Sequence, residues 1–92
     1  MKQDQAEIVA AKALAWLAET DDLMGVFLGA TGASVSDIRD RAMQPDFLGS
    51  VLDFLAQDDA WVTGFCDAAG LPYDSVLRAR AALPGGGAVH WT

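Results

Sequence analysis

A block of sequence at residues 14–38 returns at residues 52–76, after an offset of 38 residues. In both copies an apolar stripe precedes an aspartate, which is followed by a phenylalanine and then a glycine. The matched pairs are Leu14 and Leu52, Leu17 and Leu55, Ala18 and Ala56, Asp21 and Asp59, Phe27 and Phe65, Ala30 and Ala68, Gly32 and Gly70, and Ile38 and Val76. Because apolar residues at helical spacing indicate a helix and glycine readily ends one, each copy predicts a helical hairpin.

Two such blocks predict an all-α fold, a compact bundle of five to six short helices in one domain over residues 1–84. The bundle would consist of two similar three-helix units, at about residues 8–43 and 45–83, with helix-turn-helix-like corners. The predicted helices cover residues 3–19, 22–30, 34–42, 45–56, 58–69 and 72–83. No segment alternates polar and apolar residues as a strand would. The glycine-rich residues 85–92 predict a flexible tail.

Individual residues predict where these helices begin, where they end and which side they bury. Gly32 and Gly70 predict helix ends with a positive φ, and Pro45 suits the first position of the fourth helix. The candidate N-caps are Thr20, Asp21 or Asp22 for the second helix, Ser34 or Ser36 for the third, and Asp58 or Asp59 for the fifth. The predicted core contains Trp16, Leu17, Phe27, Phe54, Leu55, Trp61 and Phe65. Further inward positions are Leu23, Val26, Ala30, Val35, Ile38, Ala42, Ala68, Ala69, Tyr73, Val76, Leu77, Ala81 and Leu83.

The first helix is apolar or alanine over most of its circumference, which predicts that it either lies at the centre of the bundle or packs on two sides. Ala11, Ala15 and Ala18 lie on its outer flank, where small residues allow another helix to approach closely. Trp91 follows the tail glycines, and an indole favours an apolar groove with a polar edge. These four residues form the predicted partner surface. We expect the three alanines to contact Trp91 itself, a second copy in a weak homodimer, or an unknown protein partner.

Charge and composition exclude several classes of function. Thirteen acidic against six basic residues give a net charge of −7, a field that repels nucleic acid and anionic membranes. The composition is 52% hydrophobic, which is too apolar for a disordered chain. A single cysteine, Cys66, excludes an internal disulfide framework and a thiolate zinc cluster. Lys2, Asp4 and Glu7 precede the first apolar run and Lys12 interrupts it, so we expect no signal peptide, no membrane span and a cytoplasmic location.

The glycine corners raise an alternative function, a degenerate helix-turn-helix protein that binds DNA or a DNA-binding partner. Phe27 and Phe65 lie five residues before the glycines, and Ile38 and Val76 lie six residues after them, as core residues of that motif do. However, the helix that would read DNA has no net charge in the first unit and a charge of +1 in the second. DNA-reading helices usually present a basic face, so a packed helical corner is the favoured interpretation.

Four of the six basic residues form two similar pairs, Arg39 with Arg41 and Arg78 with Arg80. Arginine is the preferred residue for binding anionic groups, so these residues are a candidate anion patch. Residues two apart on a helix diverge by about 200°, so neither pair can grip one phosphate directly. Solvated arginines that pair with nearby acids, such as Asp37 and Asp40, are the favoured interpretation.

Few residues suit catalysis or metal binding. Cys66 and His90 could supply a nucleophile and a base, but His90 lies in the flexible tail and a catalytic pair needs a rigid geometry. The aspartate pairs at 21–22 and 58–59 lack the alternating ligands and central glycine of a calcium loop, and helix capping explains them. Glycines 85–87 lack the strand and the Gly-Lys-Ser/Thr of a phosphate loop. We therefore predict no enzyme activity, no metal and no cofactor.

Three blocks carry a family resemblance: WLAETDDLMGVFLGATGASVSDIRDRA, PDFLGSVLDFLAQDDAWVTGFCDAAGLP and the GGG-x-x-x-W ending. They resemble a small alphaproteobacterial family catalogued as a domain of unknown function, over essentially the whole chain. The resemblance implies a compact all-helical cytosolic protein and carries over no catalytic residue. Residues and resemblance together favour a non-catalytic protein-interaction or regulatory module.

Overall fold

Six α-helices follow one another in the computed structural model, which describes residues 1–20 and 22–84. They are α1 (Gln3–Glu19), α2 (Leu23–Thr31), α3 (Val35–Arg41), α4 (Pro45–Ala56), α5 (Asp59–Ala69) and α6 (Ser75–Ala82). The all-α prediction is confirmed, and no strand occurs within the described residues. The Cα radius of gyration is 12.1 Å, close to the about 12 Å expected of a compact chain of this length.

Like α1, which packs against α2, α4, α5 and α6, the helix α4 lies at the centre of the bundle and packs against α1, α2, α5 and α6. Pro45 occupies its first turn, as predicted, because a proline there loses no backbone hydrogen bond. The buried residues of α4 lie on most of its surface, and they are Phe47, Leu48, Gly49, Val51, Leu52, Phe54 and Leu55. A helix that is apolar on so many sides must be covered by several neighbours, which explains its central position.

The first helix buries mainly small residues on its inner side. Ala6, Ala10 and Ala13 are fully buried, together with Val9 and Leu17. This side of α1 belongs to the packing that joins α1 to α4 and α6. Because an alanine side chain is a single methyl group, these positions allow the neighbouring helices to approach the α1 backbone closely.

Aromatic side chains connect the remaining helices to this centre. The Phe27 ring of α2 meets the Phe47 and Phe54 rings of α4 edge to face, with centroid distances of 6.0 and 5.3 Å. Phe54 also stacks on Trp61 of α5 at 4.6 Å. The predicted core is confirmed for Leu17, Phe27, Phe54, Leu55 and Phe65, which are all buried, while Trp16 and Trp61 are partly buried and pack against them.

The predicted helix ends agree with the structure except at the starts of α2 and α6. Gly32 and Gly70 end α2 and α5 with φ values of +74° and +70°. The Asp58 side chain accepts a hydrogen bond from the Ala60 amide at 2.8 Å, as an N-cap should. Ser34 caps α3 and forms a capping box with Asp37.

The predicted capping of α2 is wrong for Thr20 and Asp22. Asp22 occupies the N-cap position with φ +57° but its side chain accepts no capping hydrogen bond, because its left-handed backbone differs from the extended one that capping requires. The Thr20 hydroxyl donates instead to the Trp16 carbonyl at 2.6 Å. The third candidate, Asp21, lies outside the described residues.

The third helices of the two units differ in where they lie. In α6, Val76 and Ala79 are buried, and the helix packs against α1 and α4, whereas α3 buries no residue completely. In both predicted units the second helix, α2 or α5, ends at a glycine with a positive φ. The superposition of the two units as whole pieces stays a prediction.

Several positions predicted to face inward are exposed. They are Val26, Ala30, Val35, Ala68, Tyr73, Leu77 and Ala81. The helix α6 begins at Ser75, not at Pro72, since residues 72–74 form a turn. Its inward stripe is then Val76, Ala79 and Leu83, and Leu77 lies about 100° away from Val76 around the helix.

We expect Gly32→Ala and Gly70→Ala each to lower the free energy of unfolding by about 1 kcal/mol, because alanine is strained at a positive φ. The measurement is urea denaturation followed by circular dichroism. Gly25→Ala is the matched control: it lies inside α2 with open space around an added methyl group. It should instead stabilise the protein by about 0.5–1 kcal/mol. A loss of stability at Gly25 equal to that at Gly32 would contradict the explanation.

Candidate interaction surface

The outward side of α1 carries an open apolar groove of about 530 Å³, which we call the α1 groove. Its lining residues are Asp4, Glu7, Ile8, Ala11, Lys12, Ala15 and Met43. On a helix with 3.6 residues per turn, positions 4, 8, 11 and 15 form one stripe, opposite the buried Ala6, Ala10 and Ala13. The α1 groove is therefore formed by the side of α1 that the bundle does not cover.

Two large apolar side chains line the α1 groove. Ile8 is 57% exposed, and Met43, in the turn after α3, is 70% exposed. Ala11 and Ala15, whose side chains are single methyl groups, line the same depression. Apolar side chains with this much exposure, grouped in one depression, are typical of a surface that binds another molecule.

A second depression of about 240 Å³, which we call the aromatic notch, opens between α1 and α5. Its lining residues are Lys12, Ala15, Trp16, Glu19, Phe65, Ala68 and Ala69. The Trp16 and Phe65 rings meet edge to face at 6.1 Å. A methyl group added at Gly64 would lie 3.1 Å from Cζ2 of Trp16, so the glycine leaves room for the indole against α5. Lys12 and Ala15 line both depressions, which makes them neighbouring parts of one surface.

The structure brings together half of the predicted partner surface. Ala11 and Ala15 both line the α1 groove, whereas Ala18 is exposed but lines neither depression. Trp91 lies outside the described residues. Neither Ile8 nor Met43 was predicted as part of this surface. Ile8 could have been included, because helical periodicity places it on the same side of α1 as Ala11 and Ala15. Met43 could not, because tertiary packing alone brings it beside α1.

Three of the four arginines in the candidate anion patch face an aspartate. The shortest contact joins Arg80 Nε to Asp53 Oδ1 at 2.6 Å. Gly49 makes room for this pair, because a methyl group there would lie 2.9 Å from Arg80 Nη1. Arg80 Nη1 also donates to the Pro84 carbonyl at 3.3 Å, so this side chain serves the contact between α4 and α6.

The other arginines are more exposed. Arg41 Nη2 lies 2.9 Å from Asp46 Oδ2, and Arg78 Nη1 lies 4.0 Å from Asp74 Oδ2. Arg39 is exposed on α3. The pairing acids differ from the predicted Asp37 and Asp40, and Asp37 is part of the α3 capping box instead. An exposed surface ion pair stabilises a fold by about 0–1 kcal/mol, so these pairs chiefly neutralise the cations locally.

Cys66 is a poor nucleophile in this environment. Its side chain is fully buried, and burial raises the pKa of the thiol, with Asp67 and Asp74 adding to the rise. The reactive species is the thiolate, which a raised pKa disfavours. The possible partner His90 lies outside the described residues. Within residues 1–20 and 22–84, no three His, Cys, Asp or Glu residues are grouped to hold a metal ion.

Tyr73 and Asp67 form a hydrogen bond that can be tested directly. The Tyr73 hydroxyl donates to Asp67 Oδ1 at 2.7 Å, and this bond is the main cause of the raised pKa of Tyr73. Tyr73 is the single tyrosine of the chain, so the change in ultraviolet absorbance that accompanies phenol ionisation reports its titration alone. We expect its pKa to lie above the ordinary value of about 10 and to fall towards that value in Asp67→Asn.

Asp59→Asn is the control for this titration and should leave the Tyr73 pKa unchanged. A raised folded-state pKa implies stability that is present below the unfolded-state pKa and is lost as the pH rises. With the raised pKa values of Cys66 and Tyr73, stability should therefore decline above about pH 8.5. A flat stability curve through that range would contradict both shifts.

The fold and the surface define a small all-helical protein with an open apolar groove along its first helix. The chain belongs to the family described as Protein of unknown function (DUF3572), whose model matches residues 3–86. The family resemblance is thereby confirmed, whereas restriction of the family to alphaproteobacteria stays a prediction. No curated protein and no solved structure matches the chain. Along the described part of the chain, no helix has the length and apolar character needed to cross a membrane.

Proposed function

We propose that this protein is a non-catalytic interaction module of the cytosol that binds an apolar helix of a partner protein along α1. The observation that carries the proposal is the α1 groove of about 530 Å³, which the exposed Ile8 and Met43 line. The aromatic notch extends the same surface towards the C-terminal end of α1. A partner helix would cover apolar side chains that the bundle leaves in water.

The shape of the surface favours a helix as the occupant. From Asp4 to Glu19 the two depressions follow α1 for about 22 Å, at 1.5 Å per residue. Ala11 and Ala15 provide low points at which a second helix axis can approach within about 8–10 Å. The large side chains on either side can then insert between residues of the partner.

The expected complex is weak and reversible. Burial of about 400 Å² of apolar surface at about 25 cal/mol per Å² contributes about 10 kcal/mol. Association costs of about 4–15 kcal/mol offset most of that gain. Such a balance suits a regulatory contact better than a permanent complex.

DNA binding is less well supported than protein binding. The reader helix of a helix-turn-helix protein needs cations free to contact phosphates. In this protein Arg41, Arg78 and Arg80 each face an aspartate of the same chain. The net charge of −7 opposes approach to a polyanion as well.

The test uses three synthetic helical peptides with the same leucine stripe, flanked by glutamine, lysine or glutamate. The full chain is titrated with each peptide, and binding is mapped by changes in NMR chemical shift. We expect changes centred on Ile8, Ala11, Ala15 and Met43. Ala15→Glu should weaken binding about tenfold or more, because the complex would bury an unpaired charge. Leu77→Glu, at an exposed apolar residue outside both depressions, is the matched control and should have no effect.

Three outcomes would overturn the proposal. In the first, none of the peptides binds at the α1 groove. In the second, sedimentation shows a dimer that Ala15→Glu dissociates, which would make a second copy the occupant. In the third, Trp91→Ala strengthens peptide binding about tenfold or more, which would make the chain's own tail the occupant and a competitor.

A further inference from the structure

We infer that the partner helix is basic, with lysine or arginine residues beside its apolar stripe near both ends of the contact. The inference rests on the proposed function and adds the chemistry of the partner. It is carried by the charges around the two depressions. Asp4 and Glu7 line the α1 groove and Glu19 lines the aromatic notch, against the single base Lys12, which lines both.

These carboxylates keep their charge available to a partner. Within the described residues the ion pairs involve Asp46, Asp53 and Asp74, and none of them includes a carboxylate of this surface. Asp4 accepts a hydrogen bond from the Gln5 amide, and Glu7 accepts one from the neutral Gln3 side chain. A hydrogen bond from a neutral amide leaves the negative charge in place. A basic side chain would therefore find acids that no internal cation neutralises.

The positions of the charges define a pattern on the partner. Glu7 and Glu19 lie 12 residues apart on α1, which corresponds to about 18 Å along the helix axis. Lys12 lies between them and would repel a cation at the middle of the contact. The matching helix has basic residues about 18 Å apart on its edges and a neutral or acidic residue between them.

The rest of the molecule reinforces this preference at long range. A net charge of −7 attracts cationic partners from solution and repels acidic ones. It also opposes pairing of two copies through this surface. The acids of this surface and the net charge of the chain therefore both favour a basic partner. An experiment has to distinguish the two contributions.

The three peptides with the same leucine stripe test whether the surface prefers a basic partner helix. At low salt we expect the lysine-flanked peptide to bind the full chain about tenfold or more tightly than the glutamate-flanked one, with the glutamine-flanked peptide between them. Raising the salt to about 0.5 M should bring the three affinities together, because exposed charges are screened.

A pair of charge variants separates local from overall effects. Glu7→Gln with Glu19→Gln removes one acid from each end of the surface, and should largely abolish the preference for lysine. Asp22→Asn with Asp59→Asn changes the net charge by the same amount at exposed residues outside both depressions, and should preserve that preference. Circular dichroism confirms that both double variants remain folded.

The outcomes distinguish failure of this inference from failure of the proposed function. If all three peptides bind the α1 groove equally, or both double variants lose the preference to the same extent, the surface does not select a basic helix. The interaction module would then stand without this specificity. If no peptide binds, the proposed function fails and this inference fails with it.

Discussion

Replacement of Phe27 by alanine is expected to lower the free energy of unfolding by about 3–5 kcal/mol, the usual cost of removing a buried aromatic ring. Phe27 is fully buried and is the contact through which α2 reaches the Phe47 and Phe54 rings of α4. Small domains have total free energies of unfolding of about 5–15 kcal/mol. A loss of this size would therefore remove a large part of the stability of the protein. Urea denaturation followed by circular dichroism measures the change.

Val26→Ala is the matched control for this experiment. Val26 is the neighbour of Phe27 in the same helix and is 48% exposed. Its truncation should change stability by only about 0.5 kcal/mol, as for most surface substitutions. A loss below about 1 kcal/mol in Phe27→Ala would mean that the ring contacts do not hold α2 in place.

Ala10→Leu is expected to lower the free energy of unfolding by about 1–3 kcal/mol, through overpacking. Ala10 is fully buried on the inner side of α1, and protein interiors are packed closely enough that added carbon atoms meet their neighbours. The added carbon atoms must displace a neighbouring helix or adopt a strained rotamer. The same denaturation experiment measures this loss.

Ala18→Leu makes the same chemical change in the same helix, so differences in helix propensity cancel. Ala18 is exposed on the outer side of α1. Its substitution should alter stability by about 0.5 kcal/mol or less. Equal losses at Ala10 and Ala18 would contradict the difference in burial between the inner and outer sides of α1.

The sequence was most informative where backbone chemistry is local. Gly32 and Gly70 take the left-handed conformation that ends a helix, and Pro45 begins one where its missing amide costs nothing. These preferences depend on a few neighbouring atoms, so they could be predicted without knowing the fold. The central position of α4 was not predicted, since the apolar pattern indicated α1 as the helix covered on several sides, and the structure places both helices at the centre.

The candidate site was only half predictable. Ala11 and Ala15 could be placed on the outer flank of α1 from helical periodicity alone. Met43, which completes the α1 groove, lies 28 residues after Ala15 in the chain. No periodicity within α1 can indicate which distant residue will lie beside it.

Local preferences and the apolar pattern were therefore enough to predict five to six helices, their approximate ends and an aromatic core. Which apolar residues of α3 and α6 are buried could be known only from the tertiary structure. Val35 and Leu77 are as apolar as Val76, yet Val76 alone is buried. The reason is geometric: an apolar side chain leaves water only where another helix covers it, and that depends on contacts between helices far apart in the chain. For the same reason the outer side of α1 stays exposed, because none of the helices α2 to α6 covers it.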